Sequence, residues 1–243
     1  MTSEKIIDIL KNGKIHLSCE LFPPKQGAEL QNSLEIVNKI AASTPSYMSV
    51  TYGAGGSTVG YSAALADMQG EEIGSFAHAS ELMRFVKQQG DFCVGGAAYP
   101  EGHPESGSLE KDIENTKYKV DAGVDFLVTQ MFFDNTILYN YMFRLLRAGI
   151  NVPVVPGIMP VTNAKQIIRI CQLSGTKLPP QFRAMVEKFA DKPEALKQAG
   201  IAYATGQIID LIANGFDNVH IYTMNKPEIF AGIMNNLGEI VDK

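Results

Sequence analysis

The chain has 243 residues and a formal net charge of -5 at pH 7. Because 45% of its residues are hydrophobic and 19% are charged, it can bury a substantial core and is not a disordered chain. The sequence has no cluster of lysine or arginine, which argues against nucleic acid or an anionic membrane as partner. Small molecules are the expected ligands.

The cysteines predict neither a disulfide framework nor a zinc site. Cys19, Cys93 and Cys171 are far apart, odd in number and form no CxxC pair. The amino terminus carries acidic residues without a long apolar core, which is not typical of a signal peptide. No apolar run approaches the ~20 residues of a membrane-spanning helix. We therefore expect a cytoplasmic protein without a bound metal.

Strand-like and helix-like segments alternate along the chain. Strands are predicted at 15–21, 47–52, 92–99, 126–133, 152–158 and 218–224. Helices are predicted near 3–11, 29–42, 77–90, 109–122, 136–148, from 163, within 180–214 and at the carboxyl terminus. This alternation predicts right-handed βαβ units and a parallel sheet in one domain over residues 1–243. A TIM (β/α)8-type barrel is favoured over a doubly wound sheet, because no glycine-rich phosphate turn follows the first strand.

The first strand ends in an unusual way, with the segment SCELFPP at 18–24. Leu17 and Cys19 occupy one face of the strand, whereas Glu20 points to the opposite face, towards the interior of a barrel. Two prolines then stop further pairing. A buried carboxylate is costly, so it needs a partner or a raised pKa.

Other polar residues follow the remaining strands, where the carboxyl ends of a barrel carry its chemistry. Thr51 and Gln130 could equally be mouth residues bonded to nearby loops, and Tyr99 and Tyr222 could be packing residues. His103 lies on a loop beyond a strand end, where it could contact a ligand.

Two further features are interpreted as structural. The segment GAGGST at 53–58 fails the GxGxxG pattern and is not expected to hold a phosphate group. His220 lies in the middle of a predicted strand and is expected to be a structural or surface residue.

Six ordered segments between residues 20 and 226 resemble the methylenetetrahydrofolate reductase family, flavoproteins that make 5-methyltetrahydrofolate. They are ELFPP, VTYGAGGST, AAYPEGHPE, KVDAGVDFLVTQMFFD, PGIMPVTN and HIYTMNK. The family fold is a (β/α)8 barrel that holds FAD at the carboxyl ends of its strands. The resemblance implies the same fold and cofactor here.

The resemblance also implies roles for individual residues. Glu20 would be the general acid, and Asp67 would lie beside the flavin and the pterin. The implied FAD contacts are Thr51, Tyr99, His103, Asp112, Asn115 and Lys119. The implied folate contacts are Gln130, Gln166, Tyr222 and Lys226. Lys226 stands where the family often has arginine, so the positive charge is kept but the bidentate fork is lost.

The implied enzyme is an oxidoreductase of folate one-carbon metabolism that serves methionine biosynthesis. NAD(P)H would reduce FAD and leave, and 5,10-methylenetetrahydrofolate would then bind in the same pocket, which gives ping-pong kinetics. Opening of the folate ring needs a proton at N10, and Glu20 would supply it if desolvation and Asp67 raise its pKa. The resemblance further implies a homo-oligomer or an assembly with a partner subunit.

The sequence departs from the family pattern between VTYGAGGST and HASEL. Residues 59–77 are too few for the two strand–helix units expected there, since one βαβ unit takes about 30 residues. Ungapped counting keeps Asp67 but places Leu65 where the family has an arginine that contacts FAD. We expect a barrel that is incomplete or distorted around residues 52–67, either in a shortened homologue or through a stretch missing from the sequence.

A barrel remnant that binds folate or a partner subunit without catalysis is the alternative function. A third possible function is a pterin-dependent methyltransferase with a barrel fold, which does not explain the presence of Tyr99, His103 and Lys119.

Overall fold

The computed structural model describes residues 4–22, 30–50 and 79–241. Two of the predicted site residues, Thr51 and Asp67, lie outside these ranges, as does the segment that replaces the expected strand–helix units.

Helices and strands alternate through the described ranges. The helices are α1 Ile6–Leu10, α2 Leu30–Ala41, α3 Ala79–Gln89, α4 Leu109–Asp121, α5 Asn135–Arg147, α6 Ala164–Ser174, α7 Pro180–Lys188, α8 Pro193–Ala213 and α9 Pro227–Asn236. The strands are β1 His16–Leu21, β2 Met48–Val50, β3 Gly95–Ala98, β4 Phe126–Thr129, β5 Val154–Val155, β6 Gly157–Ile158 and β7 Asn218–Ile221. The described part contains no helix long and apolar enough to cross a membrane.

Every strand pair in the described ranges is parallel. One sheet has the order β2-β1-β7-β6 and the other the order β3-β4-β5. Because β5 and β6 are consecutive parts of one segment, 154–158, the two sheets are joined through it. The strands therefore form one arc in the order β2-β1-β7-β6/β5-β4-β3, with the first and last strands of the chain adjacent as in a TIM barrel.

Pro156 explains why the single strand predicted at 152–158 is divided in two. Proline has no N–H to donate, so the ladder from β4 stops at Val155 and pairing with β7 resumes at Gly157. The Thr129 hydroxyl takes over at this break and accepts a 2.8 Å hydrogen bond from the Gly157 N–H.

The arc ends at β2 on one side and at β3 on the other, and no pairing joins these two strands within the described ranges. They are also the strands between which the sequence is shorter than expected. Alternating parallel strands and helices confirm the predicted α/β class, and the arrangement of the arc is that of a barrel. Closure through residues 51–78 lies outside the described part.

The two faces of the arc have different surroundings. Leu17, Cys19 and Leu21 point outwards and pack in the main apolar core with helices α2, α8 and α9. On the inner face, Ile6 and Leu10 of α1 cover the amino-terminal end and pack with residues of β4 and β5. The inner face therefore has an apolar floor and leaves its polar residues near the carboxyl ends.

Most predicted helices lie within two residues of those in the structure, whereas several strands are shorter than predicted. The segment predicted as a strand at 126–133 pairs only as far as Thr129. The Gln130 N–H still donates to the Ala98 carbonyl of β3, and the residues after it enter the loop at the barrel mouth. The strand was predicted too long because the apolar run continues past the last ladder bond, and Met131, Phe132 and Phe133 are all buried.

Candidate active site

A cavity of about 380 Å³ occupies the inner face of the arc. The polar residues that line it are Glu20, Tyr47, Ser49, Tyr99, Gln130, His220 and Tyr222. They come from β1, β2 and β7, from the residue directly before β2, and from the segments that follow β3, β4 and β7. The structure thus brings Glu20, Tyr99, Gln130 and Tyr222 together, as the sequence predicts.

Glu20 lies one residue before the end of β1 and is half-buried. It is the register partner of Ser49 on β2, and Ser18 below it is the partner of His220 on β7. Burial, and secondly the nearby Glu20 carboxylate, raise the pKa of Tyr222. The carboxylate therefore lies close enough to this tyrosine to act on it electrostatically.

Gln130 has a fixed orientation at the end of β4. Its side-chain oxygen accepts a 2.9 Å hydrogen bond from the Met131 N–H. Its own N–H donates to the Ala98 carbonyl at 2.7 Å, which ties the residue to β3. With the oxygen engaged, the carboxamide offers its N–H donors to a ligand in the cavity.

Tyr222 is held across the break in the sheet. Its hydroxyl donates to the Thr129 carbonyl at 2.6 Å, and its ring lies against Gly157. A Cβ at Gly157 would lie 2.2 Å from the Thr129 carbonyl and 2.6 Å from the Tyr222 ring, so only glycine fits there. This glycine lets the tyrosine ring lie flat on the strand and form one wall of the cavity.

His220 lies buried beneath Glu20 and is 3% exposed. Its Nδ1 lies 2.8 Å from the Ser18 hydroxyl and its Nε2 3.4 Å from the Ser49 hydroxyl. The ring stacks on Tyr47 and meets Tyr222 edge-on. Burial lowers the pKa of His220 to about 4, so the ring is neutral at physiological pH. The prediction of a structural or surface residue missed this contact of His220 with the site. His220 and Tyr222 are two residues apart and therefore face the same side of the strand, which was a sequence signal for the contact.

A second cavity, of about 800 Å³, lies outside the mouth between α3, the loop after β3 and α4. Its lining includes the predicted FAD contacts Tyr99, His103, Asp112, Asn115 and Lys119. Ala97 and Tyr99 also line the inner cavity, so the two cavities are neighbours at the end of β3.

The loop after β3 is shaped by short-range caps. His103 Nδ1 accepts from the Glu105 N–H and begins a 3-10 turn at Pro104–Ser106. Ser108 caps α4 by accepting from the Lys111 N–H. The ring of Tyr99 meets that of His103 edge-on at 4.7 Å. These contacts place both rings at the rim of the outer cavity.

Asp112 carries the most informative unsatisfied atom of this cavity. The residue is 3% exposed, and its Oδ1 accepts from the Ser106 hydroxyl at 2.9 Å. Its Oδ2 is buried and has no hydrogen-bond partner in the described part of the chain. A buried carboxylate oxygen without a partner is expensive, and a ligand hydroxyl would satisfy it. Asp112 therefore fits the ribose contact that the resemblance implies for FAD.

Lys119 lies two turns further along α4, on the same face. Its ammonium group donates to the Ala97 carbonyl and lies 5.8 Å from the centre of the Tyr99 ring. Burial lowers the pKa of Lys119, and the Asp112 carboxylate partly offsets this. A half-buried cation beside an aromatic ring fits a pyrophosphate. The residues present are thus compatible with the adenosine and phosphate half of FAD.

Gln166 and Lys226, two of the predicted folate contacts, lie elsewhere at the mouth. Gln166 is exposed in the first turn of α6 and lines a shallow cleft with residues after β6 and β7. The Lys226 ammonium donates to the Thr162 hydroxyl at 2.6 Å. Neither lines the inner cavity, so any contact with folate would be to a part of the ligand outside it.

Asn225 was not predicted and fixes the exit of β1. Its side-chain oxygen accepts from the Phe22 N–H at 2.8 Å, and its amide nitrogen donates to the Phe22 carbonyl at 2.7 Å. Its φ of 57° is in the left-handed region, where asparagine is tolerated better than most residues. These two hydrogen bonds hold the backbone two residues beyond Glu20. The segment TMNK, directly after a strand, was the sequence signal for such a turn.

The described residues contain no group of His, Cys, Asp and Glu suited to a metal ion. The fold and site define an α/β barrel-type protein with a cavity at the carboxyl ends of its strands. The model of the family "Methylenetetrahydrofolate reductase" matches residues 5–74 and 64–238. The chain therefore belongs to the methylenetetrahydrofolate reductase family, as the resemblance predicted.

Curated relatives agree with this assignment. The chain is 30% identical to "Methylenetetrahydrofolate reductase (NADH) 1" of Arabidopsis thaliana, over 98% of this chain and 50% of the relative. It is 29% identical to "5,10-methylenetetrahydrofolate reductase" of Escherichia coli (strain K12), over 93% of this chain and 92% of the relative. The chain thus spans about half the length of the plant relatives it matches.

The comparisons also bear on the shortened segment. The alignment with the plant protein extends over 299 residues, more than the 243 of this chain, so part of the relative has no counterpart here. The two matches to the family overlap at residues 64–74, within the region where the sequence predicts the missing units.

One solved structure has the same fold as this chain. It is an uncharacterized protein from Clostridium thermocellum that binds two copies of 5-methyl-5,6,7,8-tetrahydrofolic acid. The TM-score is 0.65 and the sequence identity 14%, over 93% of this chain and 95% of that chain.

Proposed function

We propose that this protein reduces 5,10-methylenetetrahydrofolate to 5-methyltetrahydrofolate with NAD(P)H, through bound FAD and in two half-reactions that share one pocket. The observation that carries the proposal is that the two cavities are neighbours, with Ala97 and Tyr99 in the lining of both. A ligand that filled the outer cavity with its phosphate half would reach the inner cavity, where Glu20 and Gln130 lie.

Bound FAD would supply the redox ring that accepts a hydride from NAD(P)H and passes it to the folate. Asp112 and Lys119 would hold its ribose and pyrophosphate, with Tyr99 and His103 against its adenosine end. Thr51 and Asp67, outside the described residues, are proposed to lie by the flavin as the resemblance implies.

The residues of the inner cavity would act on the folate. Gln130 would donate its amide N–H groups to the pterin, and Tyr222 would form the wall of the pocket. Glu20 would give its proton to N10 as the C–N10 bond of the five-membered ring breaks, which leaves a reactive iminium at N5. Gln166 and Lys226 would contact the folate further from the pterin.

A second candidate function is a barrel that binds folate or a partner subunit without catalysis. The sequence between β2 and β3, which is too short for the two strand–helix units of the family pattern, favours it. Leu65 in place of a cofactor-contacting arginine also favours it. The two candidates differ in whether the protein retains FAD.

An anaerobic absorbance titration distinguishes them. The reductase should purify yellow or take up added FAD, lose its flavin absorbance with NADH or NADPH, and regain it with methylenetetrahydrofolate. A protein that cannot take up FAD would contradict the reductase and favour the second candidate. A cytoplasmic location and a homo-oligomer or partner subunit stay predictions, which fractionation and light scattering would test.

A further inference from the structure

Glu101 is an acidic residue of the loop after β3 that the proposed reaction does not use. The Gly102 N–H donates to the Tyr99 carbonyl at 2.9 Å and closes a turn over residues 99–102, with Pro100 in the second position and Glu101 in the third. Tyr99 and His103, on either side of this acid, line the outer cavity, whereas Glu101 lines neither cavity. Its side chain is therefore directed to another part of the protein.

The Glu101 carboxylate accepts the backbone N–H of Lys177, which lies in the connection between α6 and α7 (residues 175–179). Both carboxylate oxygens lie 3.2 Å from this nitrogen, so they share the N–H. Burial raises the pKa of Glu101, and the Lys177 N–H and ammonium charge act against this rise. The contact therefore offsets part of the cost of holding a carboxylate in a half-buried position.

The connection that supplies this N–H is itself anchored to the barrel. The buried Thr176 hydroxyl donates to the Met131 carbonyl at 3.3 Å and accepts from the Ser174 hydroxyl at 2.9 Å. Gly175 ends α6 with a φ of 74°, and a Cβ on it would lie 3.4 Å from the ring of Pro104 in the loop after β3. The N–H donor is thus fixed by the segment that follows β4, so its hydrogen bond can hold the loop in place.

The loop after β3 is held on two sides. On one side the Ser106 hydroxyl donates to Asp112 of α4, and on the other Glu101 accepts from the α6–α7 connection. His103 lies between these two contacts, with its ring edge-on to that of Tyr99. A loop that is already ordered loses less conformational entropy when a ligand binds to it. The two contacts therefore favour ligand binding at these rings.

We propose that Glu101 is a positioning residue for the cofactor: by accepting the Lys177 N–H it fixes the turn after β3 and so orients Tyr99 and His103 towards the adenosine end of FAD. The role of these two rings rests on the proposed function. The contact between the two loops is a property of this chain alone and can be measured without FAD.

Amide hydrogen exchange of the FAD-free protein tests the contact between the loops. In Glu101→Leu the Lys177 amide loses its acceptor, so it should exchange about tenfold faster, together with the amides of Gly102 and Ser106 that close turns in the loop. Glu101→Gln, which keeps one acceptor oxygen, should give intermediate rates. Glu187→Gln, an exposed position on α7, is the matched control and should exchange as wild type does. Wild-type exchange of the Lys177 amide in Glu101→Leu would overturn the proposal.

Equilibrium dialysis measures the consequence for the cofactor. FAD affinity should fall about tenfold in Glu101→Leu and by less in Glu101→Gln, which also serves as the test variant if the leucine variant does not fold. Because His103→Ala removes one of the positioned rings, the double variant should lose less affinity than the product of the two single losses. Wild-type affinity in both Glu101 variants, or losses that multiply in the double variant, would refute the positioning role.

Failure of the proposed function would look different. If the exchange and affinity results were as expected but methylenetetrahydrofolate did not reoxidise the reduced flavin, the reductase would be refuted and the positioning role would stand. A wild-type protein that takes up no FAD would overturn both the reductase and the cofactor role of Glu101, even if the Lys177 amide exchanged as expected.

Discussion

The side-chain amide of Asn225 clamps the backbone of Phe22 from both sides, accepting its N–H at 2.8 Å and donating to its carbonyl at 2.7 Å. The two residues are far apart in sequence but adjacent at the mouth, because β1 and β7 are neighbours in the arc. Glu20 lies two residues before this clamp, near the end of the paired part of β1. The direction of the proposed proton donor therefore depends on a loop after another strand.

Asn225→Ala should destabilise the protein by about 1–3 kcal/mol, because it leaves two backbone groups of Phe22 without their partners and places alanine at a positive φ. Urea unfolding measures the change. Asn225→Gly, which tolerates the φ angle, separates the two effects. If the glycine variant were as stable as wild type, the clamp would contribute nothing.

Gln130→Glu should weaken binding of the folate substrate by about tenfold or more while FAD binding is retained. The substitution replaces the N–H donors by an acceptor, and a carboxylate would leave pterin acceptors unpaired. Fluorescence titration with 5-methyltetrahydrofolate measures the affinity. Gln172→Glu, which changes an exposed glutamine on α6, is the matched control. Unchanged folate affinity in Gln130→Glu would remove this residue from the pterin site.

Asp112→Asn should separate cofactor affinity from stability. The asparagine oxygen can still accept from Ser106, but the unpartnered Oδ2 becomes an amide nitrogen that cannot accept from a ribose hydroxyl. FAD affinity should fall by about tenfold, while the FAD-free protein should be as stable as wild type or more so, because a neutral group costs less to bury.

Equilibrium dialysis and thermal unfolding provide the two measurements for Asp112. Glu114→Gln, on the exposed side of the same helix, should change neither. A loss of stability in Asp112→Asn with normal FAD affinity would assign Asp112 to the fold instead of to the cofactor.

The free energy of unfolding should decrease as the pH is lowered from 7 to 4, because of His220. Its pKa is lowered from 6.5 to about 4 in the folded protein, so below about pH 6.5 the unfolded chain binds a proton that the folded protein does not. Stability is therefore unaffected by this proton above pH 6.5 and decreases as the pH falls below it, and the loss reaches about 3 kcal/mol at pH 4. Urea unfolding from pH 7 to pH 4 should be less pH-dependent in His220→Gln than in wild type. Equal slopes would show that the folded and unfolded states bind this proton alike.

The α/β class and most helices could be predicted from the sequence because local signals determine them. Capping residues such as Ser108 and Asn163 mark where helices begin, and the side chains of both make the expected cap. Strand ends were predicted less well, since burial continues past the last ladder bond at residues such as Met131. The break at Pro156 was not predicted, although a proline inside a predicted strand is a signal for one, and no local pattern indicates the Thr129 hydroxyl that compensates for it.

The candidate site could be predicted in part for the same kind of reason. Glu20, Gln130 and Tyr222 lie at the carboxyl ends of strands, and parallel strands bring these ends together. The contacts of Asn225 with Phe22 and of His220 with Ser18 join residues about 200 positions apart. Such pairings depend on the register between β1 and β7, and no local pattern specifies a register between distant strands.

The most direct test of the proposed chemistry compares the two half-reactions in Glu20→Gln and in wild type. In an anaerobic stopped-flow instrument, NADH or NADPH should bleach the flavin of both proteins at similar rates. Methylenetetrahydrofolate should then reoxidise the reduced wild-type flavin, whereas in Glu20→Gln, which has no carboxyl proton to give to N10, this step should be lost. Reoxidation at the wild-type rate in Glu20→Gln would contradict the assignment of Glu20 as the proton donor.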